Sequence, residues 1–421
     1  MIRWIRVVIL VVVTCCPALA DDALTLEHCL ELARARSPLL STAASAPRLA
    51  QTAENEARSV FRPQLELDAG YTRQQAAQQV NMGSVTAPTQ ERDYPHASIG
   101  LNQLLYDFGR SAGRVEAAGA NRRAAQFGYA AQEQDILLRT AAAFYRVLTT
   151  QTILQAAQDE VAQTGEHRRV AQTLYDQGVV TRNDLLQAEV KLAASRQQVL
   201  ARQGEEDNAW LELNYLTARP PDARGTLCSA PLSAIETIET IPATIDQRPD
   251  LLGQSQRMQG AEAGIRQARG AFWPQLFARL GADYVDNRYV EEQTIYSATL
   301  GLRCTLYDGS ARDARLQQAR EALEQERQRL AELRQRAQLE ERTARNDARV
   351  AAKQISVAQT AIAMAEENLR INQDRYREQV GTATEVLDAE TLLTAARTDL
   401  ARARFAYQLA LVRMRHAIGE L

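Results

Sequence analysis

Histidine is nearly missing from this chain, and so are the groupings that would make it an enzyme. His28, His96, His167 and His416 are its four histidines, far apart and without a metal-ligand or nucleophile partner at a usual spacing. No glycine-rich phosphate loop occurs, so any energy source lies in another protein. Net charge is only −3, which excludes the basic field a nucleic-acid binder needs. Cysteine is scarce: apart from Cys15 and Cys16 near the N-terminus there are Cys29, Cys228 and Cys304, an odd, widely spaced set that fits neither a disulfide framework nor a zinc site. Beyond the N-terminus there is also no core-sized apolar run outside the alternating strands, and although 421 residues suggest two or three ordinary domains, an internal repeat overrides that, since two copies of one unit can share one architecture. No catalytic residue, cofactor or metal is expected.

The N-terminus itself reads as a targeting segment. Arg3 and Arg6 precede the apolar run Val7 to Val13, and Ala18-Leu19-Ala20 supplies a small-residue cleavage pattern before Asp21-Asp22. Residues 1–20 are therefore expected to be a removed secretory signal, the run being too short for a spanning anchor. Lipidation at Cys15 or Cys16 is an alternative, although Thr14 fits a lipoprotein cleavage site poorly.

What is present is a short stretch made twice. Phe61-Arg-Pro-Gln-Leu65 and Phe272-Trp-Pro-Gln-Leu276 each follow an Ala/Arg-rich helical run, and after each the apolar period changes from about 3.6 to 2. Proline lacks an N–H and its ring clashes inside a helix, so Pro63 and Pro274 are read as helix-to-strand switches. Later, Leu105-Tyr-Asp-Phe-Gly109 lines up with Leu306-Tyr-Asp-Gly309, one residue apart near the glycine, with Asp107 or Asp308 where a helix N-cap is wanted. The unit is helix, strand, strand, helix. Residues 21–218 make the first copy, 219–243 a Pro/Ser/Thr-rich connector and 244–421 the second, with strands about 64–73, 95–107, 275–285 and 294–307.

After the second strand of each copy comes a helix of about 67 residues, roughly 100 Å long, too long for a compact globule. Residues 73–94 are read as a loop, and the helix of the second copy is expected to begin near Thr244. Each strand has one apolar and one polar face, at a length of about 10–12 residues that crosses a bilayer when tilted. Phe61, Tyr106, Phe272, Trp273 and Tyr307 mark one strand end, and Tyr71, Tyr94, Tyr284, Tyr289 and Tyr296 the other, as aromatic girdles do. A half-buried sheet packed on the helices would show the same alternation. Four strands cannot close a barrel, so a membrane reading requires several chains.

A third repeated stretch joins the first two: Tyr175-Asp-Gln-Gly-Val-Val-Thr-Arg-Asn-Asp-Leu-Leu-Gln-Ala-Glu189 matches Tyr376-Arg-Glu-Gln-Val-Gly-Thr-Ala-Thr-Glu-Val-Leu-Asp-Ala-Glu390 without gaps. On these motifs the sequence resembles the TolC family of outer-membrane efflux proteins. That resemblance implies a mainly α fold with transmembrane β, a homotrimer whose twelve-stranded β-barrel continues into a periplasmic α-helical barrel. It implies a Gram-negative outer membrane location, contact with outer-membrane lipid, and as partners a periplasmic adaptor and an inner-membrane pump of RND or ABC type. The function implied is an exit duct for small molecules or for proteins in type I secretion. By the same resemblance Glu385 and Asp388 match acidic pore-constriction positions, and Asp184 and Tyr376 match a pair that ties the tip closed. The supplementary basic residue is absent where Gly381 stands. Gly178, Val179, Val180, Thr181, Val380, Gly381 and Thr382 match tip turns that an adaptor engages, with the glycine shifted between copies. A periplasmic coiled-coil adaptor or scaffold would account for the helices but leave the alternating strands unexplained.

Overall fold

The protein, described by a computed structural model, is defined over residues 23–228, 238 and 241–421. The signal segment, with Cys15 and Cys16, and residues 229–237, 239 and 240 of the inter-repeat connector lie outside the described residues. The first copy runs β1 (Ala23–Thr25), α1 (Leu26–Arg36), α2 (Pro38–Ala43), α3 (Ser45–Ser59), β2 (Gln64–Arg73), β3 (Gln78–Met82), β4 (Val85–Gln90), β5 (Asp93–Tyr106), α4 (Arg110–Asp176) and α5 (Arg182–Thr217). After β6 (Thr226–Cys228) come α6 (Pro249–Gly270), β7 (Gln275–Val285), β8 (Thr294–Arg303), α7 (Ala311–Arg377) and α8 (Ala383–Ile418). Helices α4 and α7 are both 67 residues long, and α5 and α8 both 36.

The duplication extends to individual hydrogen bonds. Before β2, Phe61 and Arg62 N–H groups donate to Arg58 and Ser59 carbonyls; before β7, Phe272 and Trp273 donate to Arg269 and Gly270. These last tight turns deliver each chain to its proline. At the far side, the Asp107 carboxylate accepts from the Ser111 N–H at 2.8 Å and that of Asp308 from Arg312 N–H at 3.1 Å. Between aspartate and helix stand two left-handed residues in each copy: Phe108 and Gly109 in the first, Gly309 and Ser310 in the second. The apparent one-residue offset in sequence is therefore no offset in the chain, only a glycine that moved within a two-residue link.

Three expectations need correction. Residues 73–94 are not a plain loop but contain the antiparallel β3–β4 hairpin, with Met82 opposite Val85 and a left-handed Gly83 at its turn. Its strands are short and polar, and Pro88 sits beside the irregularity near Gln79, where a missing donor is tolerated. Helix α6 starts at Pro249 rather than Thr244: Arg248 is extended (φ −59°, ψ 128°) because proline pushes the residue before it out of the helical region. Strand β8 stops at Arg303 because its partner β7 begins only at Gln275, just past a proline that offers no donor.

The chain forms two compact units. Among the described residues, one comprises 23–37, 139–228 and 350–409, the other 38–138, 238, 241–349 and 410–421. In the first, an alanine-rich seam joins α7 and α8 through Ala365, Leu369, Tyr376, Ala383, Val386 and Leu393, with Val170 and Leu174 of α4 against it. Small side chains let helix axes approach closely. The second holds the sheet β2-β5-β7-β8, all neighbours antiparallel.

The same unit contains a buried charge knot. The Arg248 guanidinium donates to Asp250 at 2.7 Å, to Glu340 at 2.8 Å and to the Ala417 carbonyl at 3.1 Å. Removing the buried Arg248 takes the guanidinium from Asp250 and from the Ala417 carbonyl and leaves Glu340 with Arg336 alone. Arg248→Ala is expected to cost about 3–5 kcal/mol, read as a lowered thermal midpoint, while Arg36→Ala on an exposed surface changes little.

Candidate functional site

Two regions carry the features a site requires: the two faces of the sheet and the turns that end α4 and α7. Across the sheet, residues of like parity fall into register. Gln64, Asn102, Arg279 and Thr299 form one row, Glu66, Gly100, Gly281 and Ser297 the next, and Asp68, Ser98, Asp283 and the lone apolar Ile295 a third. Rows of Leu65, Leu101, Leu280, Ala298 and of Leu67, Ile99, Ala282, Tyr296 alternate with these and face the other way. That apolar face is bare: Leu65, Leu67, Leu300 and Leu302 are each at least 66% exposed. Strands β2 and β8 each have one partner, so both edges carry unpaired backbone groups. Near the helix-proximal strand ends Phe108 stacks on Trp273 at 5.3 Å and meets Tyr106 edge-on at 4.8 Å. Phe61, Tyr106, Trp273 and Tyr307 there are all exposed, as an aromatic belt at a lipid boundary would be.

The turns after α4 and α7 are built alike. Gly178 and Val179 N–H groups donate to Tyr175 and Leu174 carbonyls; Gln379 and Val380 donate to Tyr376 and Arg375. The left-handed position is Gly178 (φ 73°) in the first turn and Gln379 (φ 63°) in the second. The shifted glycine thus leaves the turn unchanged, and Gln379 bears the strain that glycine avoids. Gly381 instead makes room for its neighbours, since a Cβ there would stand 3.2 Å from a Glu385 carboxylate oxygen and 3.0 Å from Arg375 Cβ.

Each following helix is closed by a reciprocal cap. Thr181 accepts from the Asp184 N–H, while the Asp184 carboxylate accepts from Thr181 N–H at 3.0 Å and from its hydroxyl at 2.8 Å. Thr382 and Glu385 repeat the exchange, and Arg375 brings its guanidinium to 3.6 Å from Glu385. Sequence matching singled out Asp184 for a tie and Glu385 for a constriction; the two occupy the same place in the duplicated cap. Arg375, six residues before Gly381 in the last turn of α7, is the basic group beside this cap. Asp388 is exposed one turn further along α8, and Val179 and Val380 stand out from the turns at 41% and 67% exposure.

Tyr376 is buried at 5% exposure, its hydroxyl without a hydrogen-bond partner and its pKa raised by burial and then by the Asp184 charge. Its ring lies 5.2 Å from that of His167, whose Nε2 is also buried and unpartnered, and burial pushes the His167 pKa down. The two line a cavity of about 330 Å³ with Ala162, Val170 and Val386.

Further along α8 is a polar group to which motif reading gave no role. Glu390 of α8 is fully buried, with both carboxylate oxygens unpartnered. Lys191 of α5 bonds Glu160 of α4 at 2.9 Å and the Thr391 hydroxyl at 3.0 Å. Burial raises the Glu390 pKa to about 7, Lys191 opposing and Glu160 adding to the rise. The signal was available: Glu390 falls between Val386 and Leu393 at helical spacing, on the stripe that forms the seam. Among the described residues no cluster of three His, Cys, Asp or Glu side chains could hold a metal ion, and no helix is long and apolar enough to cross a membrane.

Comparison with known proteins adds a separate line. The profile described as "Outer membrane efflux protein" matches residues 29–219 and 240–420. The chain is 25% identical over 401 residues to outer membrane protein TolC of Vibrio cholerae, covering 92% of this chain and 89% of that one. Among solved structures it superposes on the outer membrane protein VceC of Vibrio cholerae with a TM-score of 0.81, at 19% identity, covering 94% of this chain and 96% of that one. The Campylobacter jejuni CmeC outer membrane channel gives 0.83 at 16% identity, covering 94% and 85%.

Glu390 yields a pH dependence of definite sign. Below the ordinary carboxyl value of 4.5 it is neutral folded or unfolded; between 4.5 and about 7 the unfolded chain loses the proton and the packed chain keeps it. Stability therefore falls by about 3 kcal/mol as pH rises through that window, and is level above it. Glu390→Gln is expected to abolish this component. The check is the difference in thermal midpoint between variant and wild type from pH 4 to 8, which should grow in the variant's favour and then flatten.

Proposed function

The chain belongs to the outer membrane efflux protein family, and from that premise we propose that three copies assemble through their sheets and long helices into one duct. The protein is an outer-membrane channel and export duct, not an enzyme, with a large periplasmic helical part. Trimeric assembly would pool the four strands of each chain into a closed twelve-stranded barrel, apolar toward outer-membrane lipid and polar within. The observation that carries this reading is the sheet itself: rows of leucine bare on one face, rows of Glu, Asp, Asn, Ser and Arg on the other, and two unsatisfied edges. An edge in lipid has no water to bond, so strands from neighbouring copies are the remedy.

A stripe on α7 supports assembly along the helices as well. Val350, Val357, Met364 and Ile371 recur at heptad spacing and are each at least 44% exposed, the pattern that seats a neighbouring helix. On this reading residues 21–218 and 244–421 are the two structural repeats, and residues 1–20 a signal removed at export. The tip turns, with Gly178, Val179, Val180 and Thr181 in one and Val380, Gly381 and Thr382 in the other, receive a periplasmic adaptor. Beyond the adaptor stands an inner-membrane pump of RND or ABC type, which selects the cargo, small molecule or secreted protein.

Glu385 and Asp388 are assigned to the narrowest passage, where repetition around an axis makes concentric negative rings that favour cations. Asp184 and Tyr376 are assigned to tip closure. Tyr376 would act from its buried place against α4, where its free hydroxyl and the Asp184 charge lie close enough to influence each other. Full-length protein in planar bilayers tests the constriction. Glu385→Ala/Asp388→Ala is expected to lower cation preference and relieve block by multivalent cations, whereas unchanged selectivity removes these residues from the passage. Affinity capture of the native complex identifies the pump, and through it the cargo.

A further inference from the structure

The polar face of the sheet is not uniform in charge. Its hairpin-side rows carry Glu66, Asp68 and Asp283; the helix-proximal rows carry Arg279 and Arg303, with Arg62 just ahead of β2. These three arginines border one hollow of about 270 Å³, together with Phe277, Gln64 and Asn102, and no carboxylate lines it. Among the described residues, none of the three guanidiniums makes an ion pair. With no carboxylate in the lining, the charge of three guanidiniums around one hollow is left uncompensated there.

The hollow also has a floor that ordinary wet surfaces lack. Phe277 lies on the polar face of β7, opposite Gly301 of β8. A Cβ at Gly301 would stand 2.4 Å from the Phe277 ring, so glycine is what lets the ring lie across the neighbouring strand. The Arg303 guanidinium sits over that ring, 5.2 Å from its centroid. Gln64 and Asn102 occupy the same row as Arg279 and add neutral amide groups. Guanidinium forks match the paired oxygens of carboxylate, phosphate and sulfonate.

We propose that Arg62, Arg279 and Arg303 form an anion-binding belt on the polar face of the sheet, taking oxyanionic solutes that carry carboxylate, phosphate or sulfonate groups. The inference rests on the duct reading, in which this face is the lumen. There a low-dielectric wall focuses the field of the arginines on whatever passes. The belt acts as a filter opposite in sign to the acidic passage of Glu385 and Asp388, and it gives anionic cargo a holding place within the barrel. Glu66, Asp68 and Asp283 then form an acidic zone toward the hairpins, which favours release of the same cargo.

Planar-bilayer recording of the full chain tests the belt, with inorganic pyrophosphate as the probe. Wild type should show pyrophosphate block, and the triple variant Arg62→Gln/Arg279→Gln/Arg303→Gln should need about tenfold more for the same block, with its reversal potential in a KCl gradient shifted toward potassium. Wild-type unit conductance in the variant confirms folding. A triple lysine variant should restore both the block and the reversal potential. Unchanged block and reversal potential in the glutamine variant, or a lysine variant that behaves like it, would overturn the belt and leave the duct standing. A wild-type protein that forms no channel at all would overturn the duct reading and the belt with it.

Discussion

An unpaired backbone group has nowhere to go in lipid. That constraint governs how this chain is used, because its four strands form an open sheet whose leucine face is unsuited to water and whose two edges are unsuited to a membrane. Neither environment suits one copy alone. The proposed assembly, copies joined edge to edge, would satisfy the ladder and place each face against a solvent that suits it. The one-residue alternation of a strand makes this economical, since every second residue can serve lipid while its neighbours serve the passage.

The helices meet a different demand. Seams of alanine bring α7 and α8 close, and polar groups are placed inside that seam, not around it. Glu390 at the junction of α4, α5 and α8, and His167 with Tyr376 beside the turns, are buried with unmet hydrogen-bonding capacity, while Lys191 and Glu160 near Glu390 satisfy each other. Such groups lower the gain from packing.

Much of this was legible in the sequence because the chain states it twice. Pro63 and Pro274 mark the helix-to-strand change, Asp107 and Asp308 cap the helices that follow, and the break after Tyr175 recurs after Tyr376. What could not be read has physical reasons. Hairpin β3–β4 is too short and too polar to leave a period, and Gln379 takes a left-handed position that composition assigns to glycine. Arg248 lost its helix to the proline after it. Burial of Glu390 depends on which face of α8 meets α4 and α5. Its near twin Glu189 is spaced alike in sequence yet sits exposed beside Arg168 at 3.7 Å.

A duct of this kind exists only if the two faces of the sheet meet different solvents. Nitroxide labels placed one at a time at Ser297, Ala298, Thr299 and Leu300 of β8, in a cysteine-free background reconstituted in lipid, read this directly. Accessibility to oxygen should peak at Ala298 and Leu300, and accessibility to a water-soluble nickel chelate at Ser297 and Thr299. If both probes instead reach all four positions equally, the sheet does not separate lipid from water and the duct built on it fails.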